Sequence, residues 1–374
     1  MSIETIVSDH TGPKAVAGCF VLCALASLAF GLAAAKPPPL PEPRSNNPVA
    51  VLEDDKGALW FTGLGLAPGK TRRDLRADGW IYREGIDEQW QAVPPLPEFE
   101  GLAGRLGSHA VVVDGAIYVI GGYTVAEDHV ERSTPGVYRL EIAPEPAWTR
   151  VSRMPVPVDD SVALVYRDRY VYLVSGWSNS GNVNLVQVWD SRNNTWQQAE
   201  PWPGKPVFGH AGGITGNRMA ICGGAYVDYP ADGPRRFLES DQCWLASIRQ
   251  DDIGRLDWKP LAPMPGGPRY RAGAVGLTHG GEQRVVFAGG ADRPYNYDGQ
   301  GYDGEAADAF ESVVSVDTET GQWHCHEPMP EPGMDYRGLI ARADSLVLVG
   351  GMDRQRNVDS RIRQWPLSAP HACR

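Results

Sequence analysis

Long apolar periods at helical spacing are scarce in this 374-residue chain. That scarcity speaks against an architecture built on helices. An excess of positive charge is missing too: 35 Lys and Arg face 46 Asp and Glu, for a net charge of −11. A nucleic-acid partner or an anionic membrane surface is therefore not expected. Histidine is sparse and scattered, at eight residues. Turn formers and aromatics are abundant instead: 43 glycines, 31 prolines and 12 tryptophans. Such a composition favours an all-β fold with many turns, at a length that suits one large barrel or propeller, or two ordinary domains.

The one long hydrophobic run is Ala15–Ala35, which carries no charge, follows Lys14 and ends in Ala33-Ala34-Ala35. Residues 1–35 read as a secretory signal peptide, with an uncleaved membrane anchor as the alternative. The expected location is exported, periplasmic or extracellular, with membrane contact only through this segment if it stays attached. Cys19 and Cys23 would leave with the signal. Cys222, Cys243, Cys325 and Cys373 remain, and an exported chain permits disulfides among them in three connectivities. Cys222 ends one predicted strand and Cys243 begins its neighbour, so these two are expected to pair, leaving Cys325 for Cys373.

PPLPE occurs at Pro38–Glu42 and again at Pro94–Glu98. Two copies of one peptide prompt a search for repeats. Aligned by glycine, the chain contains YVIGG (Tyr118–Gly122), YLVSG (Tyr172–Gly176), AICGG (Ala220–Gly224), VFAGG (Val286–Gly290) and VLVGG (Val347–Gly351), with WFTGLG (Trp60–Gly65) as a weaker first copy. Each apolar run follows a turn signal such as Asp114-Gly115, and a further apolar run precedes the turn, so every unit holds a β-hairpin. Trp90, Trp148, Trp196, Trp258 and Trp323 each have a proline seven residues on. The unit reads as hairpin, glycine pair, loop, strand, loop, Trp strand: four strands per unit, with six glycine-marked units in the chain. This predicts a six-bladed β-propeller over residues 47–368. A Pro-rich lead-in (36–46) precedes it and a tail (369–374) follows. The last unit has no clear fourth strand, so ring closure is expected to join the two chain ends in one blade.

In such a blade the loop between strands two and three opens on the same face as the link to the next blade. The long segments Tyr123–Gly136, Ala225–Gln242 and Ala291–Phe310 are all of the first kind, which makes that face the expected binding side. The approaches to the inner strands bring Arg105, Asp159-Asp160, His210, Arg271, Asp335 and Arg337 toward it. By blade position, Arg105, Arg271 and Arg337 are expected around the channel mouth. Arginines hold carboxylates through paired hydrogen bonds, so they point to an anionic small ligand. The competing reading pairs them with Asp159, Asp160 and Asp335 as braces. Tyr295, Tyr297 and Tyr302 could wall a sugar ring. His210 is either a general acid/base or a satisfied structural histidine. No cofactor is called for. His324-Cys325-His326 lacks further ligands for a metal, and DGQGYDG lacks the carboxylate spacing of a calcium loop.

The glycine pairs, the Trp strand and the blade spacing resemble the kelch repeat family of six-bladed propellers. Within it, WKPLAPMPGGPR (Trp258–Arg269) and FAGGADRPYNYDGQGYDG (Phe287–Gly304) resemble the exported N-acetylneuraminate epimerase (mutarotase) subgroup. The resemblance implies an acidic-sugar ligand and an isomerase activity; a non-catalytic binding or scaffold propeller is the alternative. The subgroup's proposed catalytic pair is a glutamate after one blade's second strand and an arginine a few residues on. The matching stretch here is ICGGAYVDYPADGPRR (Ile221–Arg236). Arg235 or Arg236 stands for the arginine, and Gly224 stands where the glutamate would be. Asp228, Asp232, Glu239 and His210 are the candidates to replace it. Galactose-oxidase-type kelch enzymes need a copper site of two histidines, two tyrosines and a cysteine, which the scattered histidines here do not assemble.

Overall fold

The computed structural model describes residues 36–179 and 181–373; the signal or anchor reading of 1–35 lies outside the described residues. Six antiparallel blade sheets follow one another along the chain, and two two-stranded hairpins extend from the loops of blades three and four, Trp177–Ser178 with Gly181–Asn182 and Ala225–Asp228 with Arg236–Glu239. The first blade is made of Val49–Asp54, Gly57–Gly63, Gly79–Arg83 and Gln91–Val93 in that order. Blades two to five repeat this inner-to-outer order, and blade two adds a short fifth strand, Glu131–Ser133. Among the described residues blade six has three strands: Ile340–Arg342, Ser345–Val349 and Ile362–Pro366.

The continuous apolar runs are the second strands, and they are continuous because both faces are covered. Tyr172, Leu173, Val174, Ile221, Val286 and Leu348 are all wholly or almost wholly buried. Burial of each contributes about 1.5–3 kcal/mol. Six apolar clusters result, one between each pair of adjacent blades, and the sixth joins Val49 and Trp60 of blade one to Val347 and Val349 of blade six. Trp148, Trp196, Trp258 and Trp323 all lie on fourth strands.

The glycine pair carries a second linkage. The N–H of Gly65, Gly176, Gly224 and Gly290 donates to the backbone carbonyl of Arg105, Val207, Arg269 and Gly333, each in the approach to the next blade, at 2.8–2.9 Å. Gly351 donates likewise to Arg44 at 2.8 Å and so closes the ring. The Pro-rich peptide explains how the lead-in reaches that position. Trp148 Nε1 donates to the Pro94 carbonyl and Trp90 Nε1 to the Pro38 carbonyl, both at 2.8 Å. The first PPLPE therefore does for blade one what the second does for blade two. Closure differs from the expectation of a shared blade. The lead-in seals the seam with hydrogen bonds, including Leu40 to Ser360 and Arg44 to Asp359. The C-terminal tail turns to blade five instead, where Cys325 exchanges backbone hydrogen bonds with His371. Cys325–Cys373 and Cys222–Cys243 are both disulfides, the latter formed by directly opposed residues on adjacent strands.

Candidate functional site

The approach to each inner strand contains one residue in the left-handed region: Asn46 (φ 55°), Gly107 (64°), Asp160 (46°), Gly209 (62°), Arg271 (51°) and Asp335 (65°). Four of the six are not glycine, and a positive φ costs such residues unless their surroundings enforce it. Here a hoop of hydrogen bonds does so. Asp160 donates to Gly107, Gly209 to Asp160, Arg271 to Gly209 and Asn46 to Asp335, while Tyr336 N reaches the Arg271 carbonyl. Gly107 N completes the circuit on Asn46 Oδ1 at 2.6 Å. The strained backbone brings the hoop's side chains together. Arg271 binds Asp160 at 2.7 Å and Asp335 at 3.2 Å, Arg337 pairs with Asp160, and Asn46 bridges Asp335 and Arg337. Two arginines and two aspartates, all buried, thus balance each other.

This cluster separates two cavities. On one side lies the channel, about 320 Å³, lined by small and aliphatic inner-strand residues with His109, His210 and Arg337. On the loop face lies a pocket of about 330 Å³ with Asp160 and Arg271 in its lining. The three long loops supply much of its wall: Tyr123 and Glu131, Arg235 and Phe237, Asn296 and Tyr302. Trp177, Phe208, Asp159, Asn179, His129 and Val130 complete it. Phe237 stacks on Tyr302 at 4.2 Å between centroids, and Trp177 meets both Phe208 and Phe237 below 6 Å. Arg235 lies over Trp177 and Phe237 at 5.6 and 5.2 Å. It forms no ion pair among the described residues.

Two carboxyl groups face the same space without an arginine on them. Asp159 accepts a 2.6 Å hydrogen bond from Ser133 Oγ, and burial pushes its pKa up to about 8. Glu131 accepts from the Tyr297 hydroxyl at 3.4 Å; burial pushes it up as well, opposed by Arg271, Tyr297 and Arg235.

Of the residues singled out in the sequence, Arg271 and Tyr302 line the pocket, and Tyr297 touches it through Glu131. Tyr295 is fully buried against Tyr270. Arg337 faces the channel from the far side of the ion cluster. Arg105 is elsewhere: it donates to the carbonyls of Gly104 and Pro97. Its carbonyl receives Gly65 as that of Arg269 receives Gly224. Arg105 therefore corresponds to Arg269, not to Arg271, two residues away from the channel position. Arg236 is exposed and pairs with Asp228 at 2.6 Å. Glu239 lies with Lys205 and Tyr226 around a different depression. His210 lines the channel, with Nε2 donating to the Val174 carbonyl at 3.0 Å; burial pushes its pKa down to about 4. His326 is engaged by Ser315 and Ser368, and Cys325 by its disulfide.

Gly224 has φ +80°, and a Cβ there would come within 2.7 Å of the His210 Cβ and the Phe208 carbonyl. No glutamate fits at that position in this chain. Sequence reasoning did not single out Glu131, Trp177 or Phe237. Glu131 lies in a flagged loop beside Glu127, Asp128 and Arg132, and nothing in its neighbours marks it.

Six blades, linked through their glycine pairs and carrying outer tryptophans on four of them, define a β-propeller with a loop-face pocket. No family model matches the chain. It is similar to N-acetylneuraminate epimerase of Salmonella arizonae, 22% identical over 355 residues, covering 84% of this chain and 86% of that protein. It is also similar to Kelch-like protein terF of Aspergillus terreus, 29% identical over 233 residues, and to Kelch-like protein 15 of Gallus gallus, 26% over 113. The match covers 61% and 30% of this chain, and spans only 46% and 22% of those two relatives. A solved structure described as "Structure of YjhT" superposes with a TM-score of 0.68 at 16% identity, covering 87% of this chain and 95% of that one. The chain is a six-bladed β-propeller similar in sequence to kelch-like proteins and to an N-acetylneuraminate epimerase.

Proposed function

We propose that the loop-face pocket binds an anionic sugar of the sialic-acid class and interconverts its anomers. The observation that carries this reading is Arg235. It is a guanidinium poised over an aromatic platform at the pocket wall, with no ion-pair partner among the described residues. The aromatic platform suits the apolar face of a pyranose, and Arg235 suits its carboxylate. The similarity to an N-acetylneuraminate epimerase supports the same ligand class. A non-catalytic sugar-binding propeller is the second reading, favoured by the space at Gly224, which admits no glutamate.

The test is calorimetry and thermal shift with N-acetylneuraminate against a neutral amino sugar, followed by anomer exchange measured by NMR. Selective binding with accelerated exchange supports the isomerase, and selective binding without it supports the second reading. Absence of binding at millimolar concentration removes both. Export is part of the proposal, supported by the apolar run at 15–35 and by two disulfide pairs. Mass spectrometry of the protein recovered from the cell exterior or periplasm checks it.

A further inference from the structure

We infer that Glu131 and Asp159 form the proton-transfer pair of this pocket, so that blades two and three supply what the blade-four hairpin lacks. The inference rests on the isomerase reading above. Glu131 belongs to the short strand Glu131–Ser133, which pairs with the extended end of blade two's second strand, Tyr123–Val125. Alternate residues of a strand point to one face about 6.6 Å apart. Glu131 and Ser133 are such a pair, and Ser133 Oγ holds Asp159 at 2.6 Å. Asn179 fixes this arrangement from blade three: its N–H donates to Ser133 Oγ at 2.9 Å and its Oδ1 accepts from Ser133 N at 3.2 Å. Two carboxyl groups therefore face one cavity.

Their contrast with Asp160, next in sequence to Asp159, is informative. Asp160 is neutralised by Arg271 and Arg337. Asp159 has Ser133 as its hydrogen-bond partner, and Glu131 has Tyr297. The groups facing Asp159 are Ser133 and Glu131 from blade two, and Arg271 and Arg337 from blades five and six. Burial outweighs the arginines there and pushes the Asp159 carboxyl up to about 8; burial raises Glu131 as well, with Arg271, Tyr297 and Arg235 opposing it. One acid and one base side by side is the arrangement that ring opening of a sugar requires.

The step balances without any co-reactant. Glu131 takes the proton of the anomeric hydroxyl as its oxygen forms the carbonyl. The ring C–O bond breaks, and Asp159 gives its proton to the departing ring oxygen. Rotation about the bond to the carbonyl carbon exposes its other face. The same hydroxyl then adds, returning its proton to Asp159, while Glu131 protonates the new anomeric oxygen.

The experiment uses the full chain and N-acetylneuraminate, with exchange between anomers followed by NMR and affinity by calorimetry. Glu131→Gln is expected to slow catalysed exchange by about 100-fold or more, the usual worth of general acid–base catalysis. Affinity should stay within about threefold, since the variant keeps the shape and the Tyr297 contact. Glu131→Asp should recover part of the rate. Asp159→Asn should lose the alkaline limb of the pH profile near 8. Wild-type exchange unchanged by Glu131→Gln overturns the assignment and leaves the isomerase reading standing. A wild-type chain that binds the sugar without accelerating exchange overturns both, and one that binds no acidic sugar overturns the ligand class with them.

Discussion

The ion cluster at the channel mouth and the pocket directly above it are both rich in charge, yet they are built on different accounting. In the cluster, Arg271, Arg337, Asp160 and Asp335 satisfy one another, with Asn46 filling the gaps. In the pocket, Arg235 faces aromatic rings while Glu131 and Asp159 face hydroxyls. A buried charge whose partner is internal braces the fold, and removing one member leaves the other stranded. Polar groups held at a cavity wall without opposite charge are available to a ligand. The sequence could not separate these cases, because the arginines of both regions lie in similar loop contexts.

Arg271 gives the largest expected effect. Arg271→Ala leaves Asp335 in the interior without an arginine and Asp160 with Arg337 alone, and should cost about 3–5 kcal/mol of stability, read as a fall in melting temperature. An unchanged melting temperature with lost sugar affinity would reverse the roles assigned to the two regions. Next is the channel histidine. An unfolded histidine titrates near 6.5, whereas burial holds His210 neutral down to about 4. The unfolded chain binds the extra proton in that window. Stability from this group is complete above about pH 6.5 and falls by about 3 kcal/mol as the pH drops toward 4. Denaturation midpoints across this range should show the slope, and His210→Asn should reduce it to the share of His109, which burial holds down to about 3.

Arg235→Ala sharpens the comparison from the pocket side. Affinity for an acidic sugar should weaken by about 1.5–3 kcal/mol, the worth of a charged hydrogen bond, with little change in melting temperature. Equal weakening for a neutral sugar would point to lost packing and not to charge recognition. The smallest effect belongs to its neighbour. Arg236 holds an exposed ion pair with Asp228, so Arg236→Ala should change stability by about 0–1 kcal/mol and leave affinity as it was. A large affinity loss there would exchange the two arginines in the site.

The sequence by itself determined the blades. Hairpins and glycine motifs, repeated six times, and outer tryptophans, repeated five times, are local patterns with a fixed strand period, and each repeat constrains the reading of the others. It also placed Cys222 opposite Cys243 and identified the face that carries the long loops. The tertiary structure decided what lies between blades. Arg105 and Arg271 look equivalent in sequence, but the inter-blade hydrogen bonds match Arg105 to Arg269. Arg235 and Arg236 are adjacent, yet the hairpin alternates their directions and only Arg235 lines the pocket. His210 reads as a candidate base near the mouth, while the hoop beneath the pocket confines it to the channel. Glu131 and Asp159 come together through Ser133 and Asn179, across a blade boundary. The physical reason is the same in each case: strand periodicity is written in neighbouring residues, whereas the site is assembled from single residues of several blades whose proximity depends on how the ring packs and closes.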